Sequence, residues 1–218
     1  MSLPVPPLLV ITGRGLATRN LEDIAAAAFA GGCRWLSLRE NDLSPPERLA
    51  LLRRLVALGR TCGASVTVHA DVDAAIAAGA AGVHLPAGGD AAAARQLLGP
   101  GALIGISAHS ENEVSRAAGA GADYVTISPI FVSHSKLGYG PVLGLAELGR
   151  ITRRATLPLI ALGGIGPAQV AACLQAGAAG VAVLGGVMAA ADPALATSAL
   201  VAGLPLAAVS CPGRAGRP

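Results

Sequence analysis

Leu157-Pro-Leu-Ile-Ala-Leu-Gly-Gly-Ile-Gly-Pro167 and Gly177-Ala-Ala-Gly-Val-Ala-Val-Leu-Gly-Gly186 frame the stretch whose reading decides the fold. Each contains a short apolar run that stops at a glycine pair. Neither run alternates polar and apolar residues, so both read as strands covered on two faces, the pattern of a parallel sheet. Between them, Pro167 suits the first position of a helix, where no backbone N–H is needed. Gly177 suits the helix end, where a left-handed residue stops the turn. Strand, glycine turn, helix and strand in this order make one βα unit, and parallel strands require such a crossover between them.

Outward from this unit the pattern recurs. Apolar runs at Leu8–Thr12, Trp35–Glu40, Ser65–Ala70, Gly82–Pro86, Leu103–Ala108 and Tyr124–Ile130 join Leu157–Gly164 and Gly180–Gly186 as eight strand candidates, with Ala-rich segments of mostly helical length between them. Gly79-Ala-Ala-Gly-Val-His-Leu85 and Gly121-Ala-Asp-Tyr-Val-Thr-Ile127 repeat the helix-ending glycine before a buried strand. Their uneven spacing excludes a solenoid. Ser44-Pro-Pro-Glu47 and Ser110-Glu-Asn-Glu113 both fit the capping box at a helix start. A complete βα barrel needs roughly 200 to 250 residues, and the chain has 218. Right-handed crossovers then favour closure over an open doubly wound sheet, the competing arrangement. The expectation is an α/β protein, a single (β/α)8 TIM barrel over residues 1–204, followed by a flexible C-terminal tail over 205–218 carrying Pro212, Gly213, Gly216 and Pro218.

Composition narrows the function classes. The chain is 53% hydrophobic and only 2% aromatic, so the core is expected to consist of Ala, Val, Leu and Ile. A mean hydropathy of +0.59 calls for no membrane, because Gly, Pro or a charge cuts every apolar stretch short. A spanning helix needs roughly 20 apolar residues. With no basic-then-apolar signal at the start, a cytoplasmic protein is expected. The net charge of +3 is scattered and few aromatics are present to stack bases, which argues against nucleic acid as a partner. Cys33, Cys62, Cys173 and Cys211 lack the paired spacing of a metal site, so reduced thiols and no structural metal are expected.

In such barrels the reactive groups lie on the loops that follow the strands, and phosphate often binds after the seventh and eighth. There, Gly163 and Gly164 after one strand, and Gly185 and Gly186 after Leu184 at the end of the other, offer backbone N–H groups ahead of helices whose positive ends favour an anion. These two glycine pairs are the expected phosphate cradle. In the second strand, period-two geometry puts Ser37 and Arg39 on one face and Leu36, Leu38 and Glu40 on the other, so Arg39 would meet an anionic substrate at the mouth. Ser107 ends the fifth strand near the same mouth, while Ser110 reads as a helix cap. After the sixth strand comes the longest irregular stretch, Ser128 to Pro141, whose Ser133, His134, Ser135 and Lys136 suggest a lid with hydroxyls, a titratable ring and a cation.

Taken in order, Leu38-Arg-Glu40, Val72-Asp73, Gly82-Val-His-Leu85, Gly105-Ile-Ser-Ala-His-Ser110, Asp123-Tyr-Val125, Pro129-Ile-Phe131, Lys136, Gly163-Gly-Ile165 and Gly180-Val-Ala-Val183 resemble the thiamine phosphate synthase and TenI-type thiazole tautomerase superfamily. The resemblance runs from about Leu8 to Leu200. It implies that Ser133, Ser135 and Lys136 match positions touching pyrophosphate and thiazole, and that Gly164, Leu184 and Gly185 cradle the phosphate of a thiazole phosphate. A synthase of this superfamily joins a pyrimidine diphosphate to a thiazole phosphate and uses magnesium held by aspartates. Here those positions read His69-Ala70 and Pro86-Ala-Gly-Gly89, with Asp90 one place beyond. The resemblance therefore points first to a metal-independent thiazole tautomerase with no cofactor, a small phosphorylated thiazole as its ligand, and His134 or His69 as the acid–base residue. A synthase with an altered magnesium site is the alternative, and a non-catalytic thiazole phosphate-binding or regulatory barrel is the third reading.

Overall fold

The structure, a computed structural model, describes residues 2–133 and 141–206. Its parallel strands β1 (Leu8–Ile11), β2 (Trp35–Leu38), β3 (Ser65–His69), β4 (Gly82–Leu85), β5 (Leu103–Ala108), β6 (Tyr124–Ile127), β7 (Leu159–Leu162) and β8 (Gly180–Val183) pair in sequence order. β8 returns to pair with β1, closing the eight-stranded barrel and ruling out the open sheet. The helices outside it are α1 (Leu21–Ala30), α2 (Pro45–Thr61), α3 (Val72–Ala78), α4 (Ala91–Leu98), α5 (Glu111–Gly119), α6 (Gly144–Thr152), α7 (Pro167–Gln175), α8 (Gly185–Met188) and α9 (Pro193–Val201). The segment expected to be a tail, 205–218, is described only as far as Leu206.

Short polar side chains start most of these helices by accepting an otherwise unpaired N–H. Asn20 Oδ1 accepts from the Asp23 amide at 2.8 Å, Asp71 from Ala74 at 2.9 Å, and Asp90 from Ala93 at 2.9 Å. The box at Ser44 forms, with its amide donating to Glu47 Oε2 at 3.0 Å. The second box forms only in part. Ser110 Oγ accepts from the Glu113 amide at 3.4 Å, but the Glu113 carboxylate accepts from the His109 amide instead of Ser110.

Several strands end earlier than their apolar runs. The chain turns where the ladder stops: Ala70 has φ +57°, Gly163 φ +103° and Gly164 φ +64°. These backbone turns leave the extended region and end the ladder, and hydrophobicity alone does not reveal them.

Alternation along the strands sorts side chains into two sets. Val66, Val68, Val83, Leu85, Ile104, Ile106, Val125 and Ile127 face outward and belong to the cluster packed under the helices. Leu9, Trp35, Leu103, Tyr124, Ile160 and Ala182 face inward and fill the lower interior. The core is mainly aliphatic in both layers, as expected, with Phe29 as an aromatic exception in the outer one. Trp35 and Tyr124, two of the five aromatic residues, sit in the interior with ring centroids 4.6 Å apart and an interplanar angle of 77°. Beside β5 and β6, Arg95 on α4 pairs with Asp123 at 2.6 Å, and Asp123 also accepts from the Ile104 amide at 2.8 Å. Among the described residues, no helix is long and apolar enough to cross a membrane.

Candidate active site at the barrel mouth

Period-two geometry brings the inward residues at the strand C-termini together: Arg39 directly after β2, His69 at the end of β3, His84 on β4, Ser107 on β5 and Thr126 on β6. The Arg39 backbone N–H donates to Thr12 Oγ1 at 2.9 Å. Both acidic residues near it in sequence are engaged elsewhere. Glu40, turned to the opposite face and buried, accepts from the Arg14 amide at 3.1 Å, and Asp42 pairs with the Arg14 side chain at 2.6 Å. Among the described residues no carboxylate forms an ion pair with the Arg39 guanidinium, which leaves a cation directed at the mouth.

His84 is fully enclosed. Its Nδ1 lies 3.0 Å from the Tyr124 hydroxyl, and its Nε2 lies 3.0 Å from Ser107 Oγ and 3.2 Å from Thr126 Oγ1. Burial pushes its pKa down to about 3, with the nearby charges of His69 and Arg39 acting in the same direction. His69 is the direct register partner of His84, and the two rings stack with centroids 5.9 Å apart. His109 is placed differently: its ring Nδ1 donates to the Ser128 carbonyl at 2.8 Å, tying the start of α5 to the loop after β6.

The glycine pair after β7 has a steric reason to be glycine. A Cβ at Gly164 would lie 2.3 Å from the Val132 carbonyl oxygen, and one at Gly163 would lie 3.0 Å from Pro129 Cα. The Phe131 amide donates to the Gly163 carbonyl at 3.0 Å, so the loop after β6 is pressed onto this turn. The pair after β8 opens α8, with Leu184 at its cap, and a Cβ at Gly186 would meet the Ile165 carbonyl oxygen at 3.9 Å, so the two loops adjoin. Ser133, half-buried, is the last residue described before the gap. His134, Ser135 and Lys136 lie outside the described residues.

Tyr124 and Thr126, which hold His84, were not among the expected site residues. The signal lay in the strand phase: on β6 these two residues share the inward face, as His84 does on β4 and Ser107 on β5.

A family model described as thiamine monophosphate synthase matches residues 8–187. The chain belongs to the thiamine monophosphate synthase family. Within this family, the thiamine-phosphate synthase of Roseiflexus sp. (strain RS-1) is 40% identical over 195 residues, covering 88% of this chain and 82% of that protein. The thiamine-phosphate synthase of Methanoculleus marisnigri (strain ATCC 35101 / DSM 1498 / JR1) is 42% identical over 189 residues, covering 86% and 88%. The thiamine phosphate pyrophosphorylase from Pyrococcus furiosus superposes with a TM-score of 0.81 at 30% identity, covering 90% of this chain and 94% of that one.

These relatives overturn the tautomerase expectation and, with it, the assignment to isomerases: proteins about 40% identical over most of the chain carry a transferase's name. The expectation leaned on missing carboxylates at two loop positions, whereas family membership is set by the whole barrel. The acid–base roles of His69 and His134 were tied to isomerisation, so a transferase leaves them without an assigned step.

The family implies magnesium, and the side chains around the mouth can be tested against that ion, which takes oxygen ligands in a near-octahedral set. Ala70 offers no side-chain oxygen, and at Gly89 a Cβ would lie 2.6 Å from the Cβ of Leu85, so the backbone there excludes a carboxylate. Asp90 is exposed and caps α4, while Asp71 caps α3 and pairs with Arg48 at 2.7 Å. Among the described residues no group of three His, Cys, Asp or Glu side chains could hold a metal ion. Among the described residues the side-chain donors do not fit magnesium.

Proposed function

We propose that the protein is a transferase of the thiamine-phosphate synthase type. It joins a pyrimidine diphosphate to a thiazole phosphate: the bond from carbon to the diphosphate oxygen breaks, pyrophosphate leaves with the electron pair, and the thiazole nitrogen forms the new bond to that carbon. The observation that carries this reading is the division of anion-directed groups around the mouth. Arg39 after β2 suits one anion, and the amides of Gly163, Gly164, Gly185 and Gly186 after β7 and β8 suit another, with β1 between them. A reaction between two phosphorylated substrates calls for such a division. In this reading the glycine cradle and Leu184 hold the thiazole phosphate, and Arg39, Ser107 and Ser133 face the diphosphate; the family resemblance adds Ser135 and Lys136, which lie outside the described residues, to the substrate-binding set.

A positive guanidinium and hydroxyl donors stabilise the departing pyrophosphate where charge develops. No step is assigned to a metal ion. The test is to supply the purified protein with the pyrimidine diphosphate and the thiazole phosphate and follow pyrophosphate release together with thiamine phosphate formation. Both products should appear in equal amounts. Absence of both, with folded protein and with magnesium present or absent, overturns the proposal.

A further inference from the structure

We infer that His84 is a positioning residue: a one-way chain of hydrogen bonds starting at the Tyr124 hydroxyl commits the Ser107 hydroxyl to donate its hydrogen to an anionic oxygen in the barrel mouth. The direction rests on geometry. The identity of the anion, a diphosphate, rests on the transferase reading above.

The chain begins in the barrel floor. Tyr124 is fully buried, and its hydroxyl faces His84 Nδ1 at 3.0 Å. A phenol has one hydrogen to donate, and leaving a buried donor without an acceptor is unfavourable. Tyr124 therefore donates and Nδ1 accepts. A neutral imidazole carries one hydrogen, so it resides on Nε2. Burial favours the neutral ring, since an imidazolium would bear hydrogen on both nitrogens and leave the phenol no acceptor.

From Nε2 the hydrogen is shared between Ser107 Oγ at 3.0 Å and Thr126 Oγ1 at 3.2 Å. Both oxygens accept: the neutral ring has one lone pair to offer, and the phenol, the more acidic hydroxyl, takes it in preference to the buried Thr126 hydroxyl. Thr126 and His84 are closed off, whereas Ser107 is half-buried and is the member of this chain that reaches the mouth. With a lone pair turned inward onto Nε2, its own hydrogen is left for an acceptor outside. Run in reverse, the chain would make Ser107 donate inward and present lone pairs to the mouth, an arrangement that suits a cation and repels a diphosphate.

Two measurements on the full chain decide the matter. In protein labelled with ¹⁵N at histidine, and with His84→Gln used for assignment, His84 should show an unprotonated Nδ1 and a protonated Nε2 throughout pH 5 to 8. The opposite tautomer overturns the inference. Calorimetry with inorganic pyrophosphate then compares the wild type with His84→Leu, Ser107→Ala and the double variant. Each single change should weaken binding about 10-fold, the effect of one hydrogen bond to a charged group, and the double variant should be no weaker than Ser107→Ala. His84→Gln, whose amide can accept from Tyr124 and donate to Ser107, should stay within about 3-fold of wild type, and this arm stands even if His84→Leu does not fold. Fully additive losses, or a loss in His84→Gln as large as in Ser107→Ala, would mean that His84 does not act through Ser107. If the Nε2 tautomer is found but the wild type neither binds pyrophosphate nor forms thiamine phosphate, the transferase reading fails, and the role given to Ser107 goes with it.

Discussion

The ring of Tyr124 occupies the space that a side chain at Gly105 would need: a Cβ built there would lie 2.1 Å from Tyr124 Cζ. The two are register partners on β5 and β6, so the bulk of one depends on the emptiness of the other. Gly105→Ala should therefore displace the ring and cost about 1–3 kcal/mol, the usual penalty of overpacking. Urea unfolding of Gly105→Ala, Tyr124→Ala and the double variant gives the check. The double variant should be more stable than the sum of the singles predicts, because removing the ring makes room for the methyl group. Additive losses would show that the clash is relieved elsewhere.

His84 should steepen acid unfolding. Its pKa is about 3 when folded, against roughly 6.5 in an unfolded chain. Above pH 6.5 both states are neutral there, and this term does not vary. As pH falls below 6.5 the unfolded state takes up a proton that the folded state refuses, so stability is lost at up to about 1.4 kcal/mol per pH unit until about pH 3. Denaturant midpoints of wild type and His84→Gln, measured from pH 7 to 4, should converge as the pH drops. Parallel curves would contradict this.

Asp123 should matter for stability rather than for turnover. Its side chain is 7% exposed and holds both Arg95 and the Ile104 amide, joining α4 to the β5 and β6 edge away from the mouth. Removing one partner of an enclosed ion pair costs about 3–5 kcal/mol. Because Arg95 retains 27% exposure, roughly 2–3 kcal/mol is expected for Asp123→Ala. Thermal melting should fall by several degrees while KM for either substrate stays unchanged. A changed KM with an unchanged melting temperature would place Asp123 in the site instead.

Arg39→Met should raise KM for the pyrimidine diphosphate by about 10- to 100-fold, the worth of a hydrogen bond to a charged group. KM for the thiazole phosphate should change much less. Arg39→Lys should recover only part of the loss, since an ammonium cannot match two oxygens as a planar guanidinium does. Equal effects on both substrates would undo the proposed division of the mouth.

Magnesium should change pyrophosphate affinity less than about 3-fold, because a hard cation needs several protein or phosphate oxygens in a fixed set and the positions in question are Ala70 and a crowded Gly89. Calorimetric titration with and without the ion measures this directly. A strongly magnesium-dependent affinity would contradict this.

Much of the fold was legible because two periodicities carried it. Short apolar runs, two of them ending in glycine pairs, gave all eight strands, and Ser44 and Ser110 cap their helices as the sequence predicts, the second box only in part. The overshoot at Ala70 and Gly163 had no signal in hydrophobicity, since a turn to positive φ is a backbone event. At the site, strand phase was enough to place Arg39 and Ser107 on the inward face. The partners of His84 were missed because they come from another strand, β6, and the pairing depends on barrel closure and register rather than on anything within Gly82–Leu85. The choice of reaction was misjudged because local departures in the loops were given more weight than the rest of the barrel, over which synthases are about 40% identical.

The Trp35 and Tyr124 plug has a kinetic meaning. With Leu9, Leu103 and Ile160 it stops the lower end of the barrel, so the lumen is a cup and not a tube. Whatever arrives at the rim must depart across the same rim. For the proposed transferase, two reactants and two products would then share a single doorway, and a turnover would be complete only when the outgoing molecules have vacated it. Accumulating product is thus an obstacle to the next arrival, with no rear exit to relieve the queue.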